Sequence, residues 1–252
     1  MYILQHFYWV LLLGTVFLKG WSGNKPLADP PTILVFSKTE GFTHGSIPAG
    51  NKALIKLGIE YGFEVDTTSS AEVFTEGDLA SYAAVVFLNT TGDVLNKAQQ
   101  GAFEAYMEKG RGFVGIHSAS DTEFDWEWYG KLVGAYFKDH PAVQKADLYI
   151  QNLNHPATKG LPEKWTITDE WYNFRDIQKD IHVLITIDED SYKGGSNGEW
   201  HPISWFKEHG KGRVFYTGLG HRPEIYQDPL FLKHLLGGIS YAIYGDDTLL
   251  EE

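Results

Sequence analysis

Three times in the first 120 residues a short apolar run breaks into a polar loop. The runs are Thr32–Ser37, Ala84–Leu88 and Phe113–Ile116. Runs of this length with apolar residues on both faces are the mark of a strand buried inside a parallel sheet. Helical patterns separate them. Ser46 is placed to cap a helix with Pro48 in its first turn, ending at Gly62. Asn96 is placed to cap a second helix running to Lys109, with Ala98, Ala102, Phe103, Tyr106 and Met107 at helical spacing. Phe63–Thr67 reads as a further strand and Asp78–Tyr82 as a helical turn. This alternation predicts an α/β fold with right-handed crossovers.

In such a fold ligands bind outside the carboxyl ends of the strands. That gives weight to the polar residues just beyond each run: Glu40 and His44 after the first, Asn89 after the third strand, and His117, Ser118 and Asp121 after the fourth. His117 stands where some α/β enzymes carry a nucleophile at a sharp strand-to-helix turn. Beyond Asp121 the pattern is less regular. Ala146–Gln151, Trp165–Asp169 and His182–Ile187 read as extended. Pro202–Phe206 and Arg213–Thr217 read as a hairpin around His209–Gly212. Asp228 and Pro229 open a last helix that ends at Gly245.

The chain has no cysteine. This excludes disulfides, thiolate metal sites and a cysteine nucleophile together. A net charge of −12 argues against nucleic acid as a partner, which needs basic patches. No phosphate-cradling glycine motif follows the first strand, so no nucleotide is indicated. Ile3–Leu18 is apolar and short for a membrane span, which makes residues 1–23 a signal peptide or an N-terminal anchor. That implies export to the periplasm or beyond, or attachment to a membrane. One domain over residues 30–246 accounts for the rest.

Three chemistries are open to the polar clusters. A serine triad through Ser118 or Ser120 is weak, because adjacent His and Ser on an extended chain point apart. A divalent metal, zinc or similar, could be held by His117, Glu170, His201 and His221, although no local ligand spacing supports it. Acid–base work by histidine and carboxylate needs no metal. The candidate catalytic residues are His117, Glu170, His44 and His221. Glu40, Asn89, Ser118, Asp121, Trp171, Tyr172, His201 and Arg222 are candidates for binding substrate. A non-catalytic glycan-binding role is the competing class, supported by Trp126, Trp128, Trp171, Trp200 and Trp205, since indole faces stack on sugars.

Several motifs occur together in order: Gly41-Phe42-Thr43-His44-Gly45, Gly115-Ile116-His117, Asp169-Glu170-Trp171-Tyr172, His201-Pro202 and Tyr216–His221. In this the chain resembles the ThuA-like (trehalose utilisation) family over about residues 32–244. The resemblance implies a flavodoxin-like three-layer sandwich with a mainly parallel sheet, like that of class I glutamine amidotransferases. Those enzymes carry a cysteine at the elbow. The matching position here is at or beside His117, so glutaminase chemistry is ruled out. The resemblance also implies a small carbohydrate substrate of the trehalose, sucrose or 3-keto-glycoside type, and a sugar dehydrogenase in the same pathway. Lyase, isomerase and hydrolase chemistry all remain open, as does the oligomeric state.

Overall fold

The computed structural model describes residues 29–250. The predicted signal peptide or anchor over residues 1–23 lies outside these. Among the described residues, no helix is long and apolar enough to cross a membrane.

Five parallel strands form one half of a nine-stranded sheet. β1 (Thr32–Phe36) lies between β2 (Glu64–Thr68) and β3 (Ala84–Leu88), followed by β4 (Gly112–Ile116) and β11 (Gly212–Thr217). β3 and β4 are buried at every residue, as their unbroken apolar sequences require. β2 is the polar edge strand, and its exposed Glu64, Asp66 and Thr67 keep that edge solvated. An antiparallel wing completes the sheet with β10 (Pro202–His209), β9 (His182–Ile187), β6 (Gln144–Ile150) and β7 (Lys164–Asp169). The predicted hairpin is the β10–β11 pair, in register from Ser204↔Thr217 to His209↔Gly212. A separate two-stranded ribbon joins β5 (Tyr136–Asp139) to β8 (Asn173–Arg175). Its short strands were not separable from loop in the sequence.

Helices cover both faces. α1 (Ile47–Tyr61) and α5 (Pro229–Tyr244) share one face, while α2 (Glu76–Leu79), α3 (Lys97–Glu108) and α4 (Glu127–Val133) cover the other. On the second face Phe36, Phe74, Phe87, Phe103, Phe113 and Tyr129 form one connected set of ring contacts. The caps follow the sequence in two cases. Asn96 and Gln99 form a capping box on α3, and Asp228 accepts from Leu230 and Phe231 at the start of α5. The third expectation fails: Ser46 does not cap α1, because its hydroxyl donates to the Gly220 carbonyl at 3.0 Å.

β1 leads to β2 on one side, and the chain then returns to β3 on the other. This reversal opens a crevice at the carboxyl ends of β1 and β3. The close fit of α5 elsewhere on the sheet can be tested. A Cβ at Gly237 would lie 2.1 Å from the Pro156 carbonyl oxygen, and backbone cannot yield as a side chain tip can. Gly237→Ala is expected to cost about 3 kcal/mol, read as a fall in Tm of about 6–12 °C. An unchanged Tm would mean that α5 does not seat against this turn.

Candidate functional site

Four loops meet over the strand ends. His117 opens a 3-10 turn directly after β4, and its φ is 49°. A non-glycine residue in the left-handed region is held there by its surroundings. Here the Tyr216 hydroxyl donates to the His117 carbonyl at 2.7 Å, and His117 Nδ1 donates to the Gly218 carbonyl at 2.8 Å. The second bond fixes the tautomer and leaves the Nε2 lone pair facing into the site. The Tyr172 ring packs 4.2 Å from the imidazole, centre to centre.

His44 comes from the loop after β1 and is buried. Its Nδ1 lies 3.4 Å from Ser118 Oγ, and its ring stands edge-on to His117 at 4.9 Å and to His221 at 5.2 Å. His221 follows β11, and Gly220 fixes its position. The Gly220 carbonyl takes donors from Ser46, Asn89 and Tyr226, while its N–H donates to Asp169 Oδ2 at 2.7 Å. Asp169 Oδ1 accepts from the Arg222 N–H at 3.2 Å, so this buried carboxylate grips the peptide on both sides of His221. Glu170, next in the chain, lies in the link from β7 to β8 that folds back over the strand ends.

The ligand atoms of His44, His117, Glu170 and His221 all lie within 4.8 Å of one another. Glu170 Oε2 is 3.4 Å from His117 Nε2 and 3.1 Å from His221 Nδ1. Yet neither of these buried nitrogens has a hydrogen-bond partner among the described residues. Lone pairs and a carboxylate oxygen thus converge on one point without satisfying one another. Unpaired buried polar groups are costly, and a cation bound among them would repay that cost. Three imidazoles and one carboxylate suit zinc or a similar divalent ion.

The electrostatics favour a neutral His44 and an ionised Glu170. Burial, then the charges of His117 and His221, lowers the His44 pKa to about 3, so this imidazole stays neutral and free to ligate. Burial alone would raise the Glu170 pKa, but the close approach of His117 and His221 outweighs it and holds the carboxyl well below its usual range. Burial likewise opposes a charged His221, but Glu170 and then Asp169 pull its pKa upward overall. Asp121, half-buried, is pushed up to about 6 by burial, against the opposing influence of His117 and His140.

Not every residue singled out in the sequence reaches this point. His201 is buried elsewhere: Nδ1 lies 2.8 Å from Glu189 Oε1, and Nε2 donates to the Tyr172 carbonyl at 2.8 Å. With both ring nitrogens engaged it supports the link that carries Glu170, and His44 takes the place expected for it among the four. Asn89 is fully buried, and its amide nitrogen is spent on Ser46 and Gly220. Trp171 is fully buried, with its indole N–H donated to the Gln144 carbonyl, so neither face is open to a sugar. Trp126 and Trp205 are buried too, and of the five indoles expected at the site only Trp200 is largely exposed. The aromatic platform expected of a glycan-binding protein is therefore mostly core. Glu40 pairs with Lys38 at the rim, and Arg222 pairs with Glu224. Ser118 sits in the wall beside His44, and Tyr172 beside His117. His140, which is not among the candidates from the sequence, approaches Glu170 Oε1 at 3.1 Å. Phe42 packs its ring 4.9 Å from His44 and is 64% exposed, an open apolar surface at the mouth.

The fold and this histidine–carboxylate cluster define an amidotransferase-like α/β protein without the cysteine of that class. The family model for trehalose utilisation (ThuA) matches residues 32–242, and the chain belongs to that family. A ThuA-like protein from Bacteroides uniformis is 25% identical, with a TM-score of 0.75 over 92% of this chain and 100% of the other. One from Parabacteroides merdae is 22% identical, with a TM-score of 0.74 over 86% of this chain and 91% of the other. A β-galactosidase from Bacillus circulans shares the fold at a TM-score of 0.59 and 13% identity, over 84% of this chain and 31% of its own length. Among curated proteins none matches by sequence. Family membership points to a role in trehalose utilisation.

Proposed function

We propose that this protein is a metal-dependent acid–base enzyme of glycoside breakdown, acting on a sugar that carries a carbonyl, such as a 3-keto-glycoside of the trehalose or sucrose type. The convergence of four ligand atoms within 4.8 Å at the strand ends carries this reading. His44, His117, Glu170 and His221 hold the ion. A divalent ion there supplies Lewis acidity toward a carbonyl oxygen.

Nitrogens and oxygens committed to a cation are poor bases, so the proton passes to another group. Asp121 meets the requirement. Its side chain makes no hydrogen bond or ion pair among the described residues, it is half-buried, and burial raises its pKa to about 6. A ketone at C3 acidifies the C2–H bond. Asp121 takes that proton, the electron pair becomes an enolate on the C3 oxygen, and reprotonation or loss of a neighbouring substituent completes isomerisation or elimination. Phe42 offers its exposed face to the sugar ring. A sugar dehydrogenase forming the ketone is the natural preceding partner. The apolar run Ile3–Leu18 supports a place outside the cytoplasm.

The test is turnover of a 3-keto-glucoside by purified protein, with and without chelator. Consumption that chelator abolishes and added zinc or manganese restores is the expected result. Consumption indifferent to chelator would overturn the metal-dependent reading.

A further inference from the structure

His221 reaches the cluster from a loop that its own sequence leaves loose. Gly218-Leu219-Gly220 precedes it, and glycine loses more conformational freedom on ordering than any other residue. Gly220 takes a φ of 128°, so the loop must be held in its course by other parts of the chain. One clasp comes from far across the sheet. Asp169 ends β7, the outermost strand of the antiparallel wing, and β10, β9 and β6 lie between β7 and β11. Its side chain is fully buried. Oδ2 accepts from the Gly220 N–H at 2.7 Å and Oδ1 from the Arg222 N–H at 3.2 Å. Bonds from backbone N–H groups to a carboxylate are charge-assisted and strong. Asp169 is not among the four converging residues, and both of its oxygens are spent on the peptide groups around residue 221.

We propose that Asp169 is a positioning residue for the metal centre and acts through His221. By holding the backbone on both sides of residue 221, it fixes the direction in which the imidazole leaves the chain. Nδ1 then stands 3.1 Å from Glu170 Oε2 before any ion arrives, and the ion need not order the loop. Asp169 also directly precedes Glu170. One residue therefore ties the link after β7 to the loop after β11, and two of the four ligands come in fixed relation. This inference rests on the metal reading above. Groups that orient a metal ligand from behind set affinity as well as geometry, and their loss typically costs about 10–100-fold in metal affinity.

The experiment is a double-mutant cycle in zinc affinity over the wild type, Asp169→Asn, His221→Ala and the double variant, with thermal unfolding to check each fold. Asparagine keeps the size and one acceptor oxygen, but sets an amide N–H against a peptide N–H. Asp169→Asn is expected to bind zinc about 10–100-fold more weakly. In the His221→Ala background the same substitution is expected to cost less than about 2-fold, because the side chain it positions is gone. A purely structural role would cost the same in both backgrounds. Equal losses in both, or wild-type affinity in Asp169→Asn, would overturn the inference. If Asp169→Asn does not fold, or His221→Ala binds too weakly to titrate, hydrogen exchange of the wild type decides. Zinc is expected to slow exchange of the Gly220 and Arg222 amides by about 10-fold or more, since the ion and Asp169 hold the same peptide groups in place. Rates at these amides that zinc leaves unmoved would overturn the inference. A wild-type protein that takes up no zinc would overturn the metal reading itself, a separate result.

Discussion

His117→Asn is expected to abolish metal binding and activity while leaving the fold in place. Asparagine tolerates the left-handed backbone that position 117 adopts at φ 49°. Its amide nitrogen can still donate to the Gly218 carbonyl, as Nδ1 does now at 2.8 Å. What it cannot do is reach the cluster, because only Nε2 extends that far. The variant thus removes one ligand and little else. Zinc affinity should fall by more than the roughly 10–100-fold typical of supporting residues. A Lewis acid contributes several kcal/mol to a transition state, so kcat/KM should fall by about 10³-fold or more. Thermal unfolding without metal should change by only a few degrees, of the order expected for a substitution costing about 1 kcal/mol. Wild-type metal content in this variant would remove His117 from the centre.

Asp121→Asn is expected to lower kcat by about 10²–10⁴-fold, the usual contribution of a positioned base, with metal content unchanged. The two variants therefore separate ligand from base. The pH dependence adds a second readout. Burial raises the Asp121 carboxyl to about 6, so the ionised form that can accept a proton dominates above that value. A nearby divalent ion favours the carboxylate and shifts the limb downward. Wild-type activity, measured at saturating metal, should therefore fall with decreasing pH along a limb centred at or below about 6. In Asp121→Asn this limb should disappear from the residual activity. An unchanged limb in the variant would assign it to another group.

The first half of the fold was legible because β1, β3 and β4 are buried on both faces, and their sequences say so without help. Ala84–Leu88 and His182–Ile187 coincide with the observed strands. β5 and β8 were not legible, since three- and four-residue strands carry no period. The site followed the same division. His117 and His44 could be placed from local order, because each lies just beyond a strand of the parallel half. The histidines before proline could not. His140, His155 and His201 each precede proline, yet only His140 touches Glu170, and only the crossing of the β7–β8 link over the strand ends decides it. His201 was expected among the ligands for want of that information. Trp171 shows the same limit from the other side: its neighbour Glu170 faces the site, and alternation along an extended link turns the indole into the core. Nor does sequence reveal that the Ser46 hydroxyl serves Gly220 rather than its own helix, because the competing acceptor lies 174 residues away.

The most direct test is the zinc stoichiometry of the protein stripped with chelator, titrated and then confirmed by elemental analysis. One ion bound tightly per chain, with the stoichiometry lost in His117→Asn and kept in Asp121→Asn, is the expected result. A stripped protein that takes up no zinc, manganese or cobalt, or binds them equally well without His117, would contradict a metal centre at these strand ends.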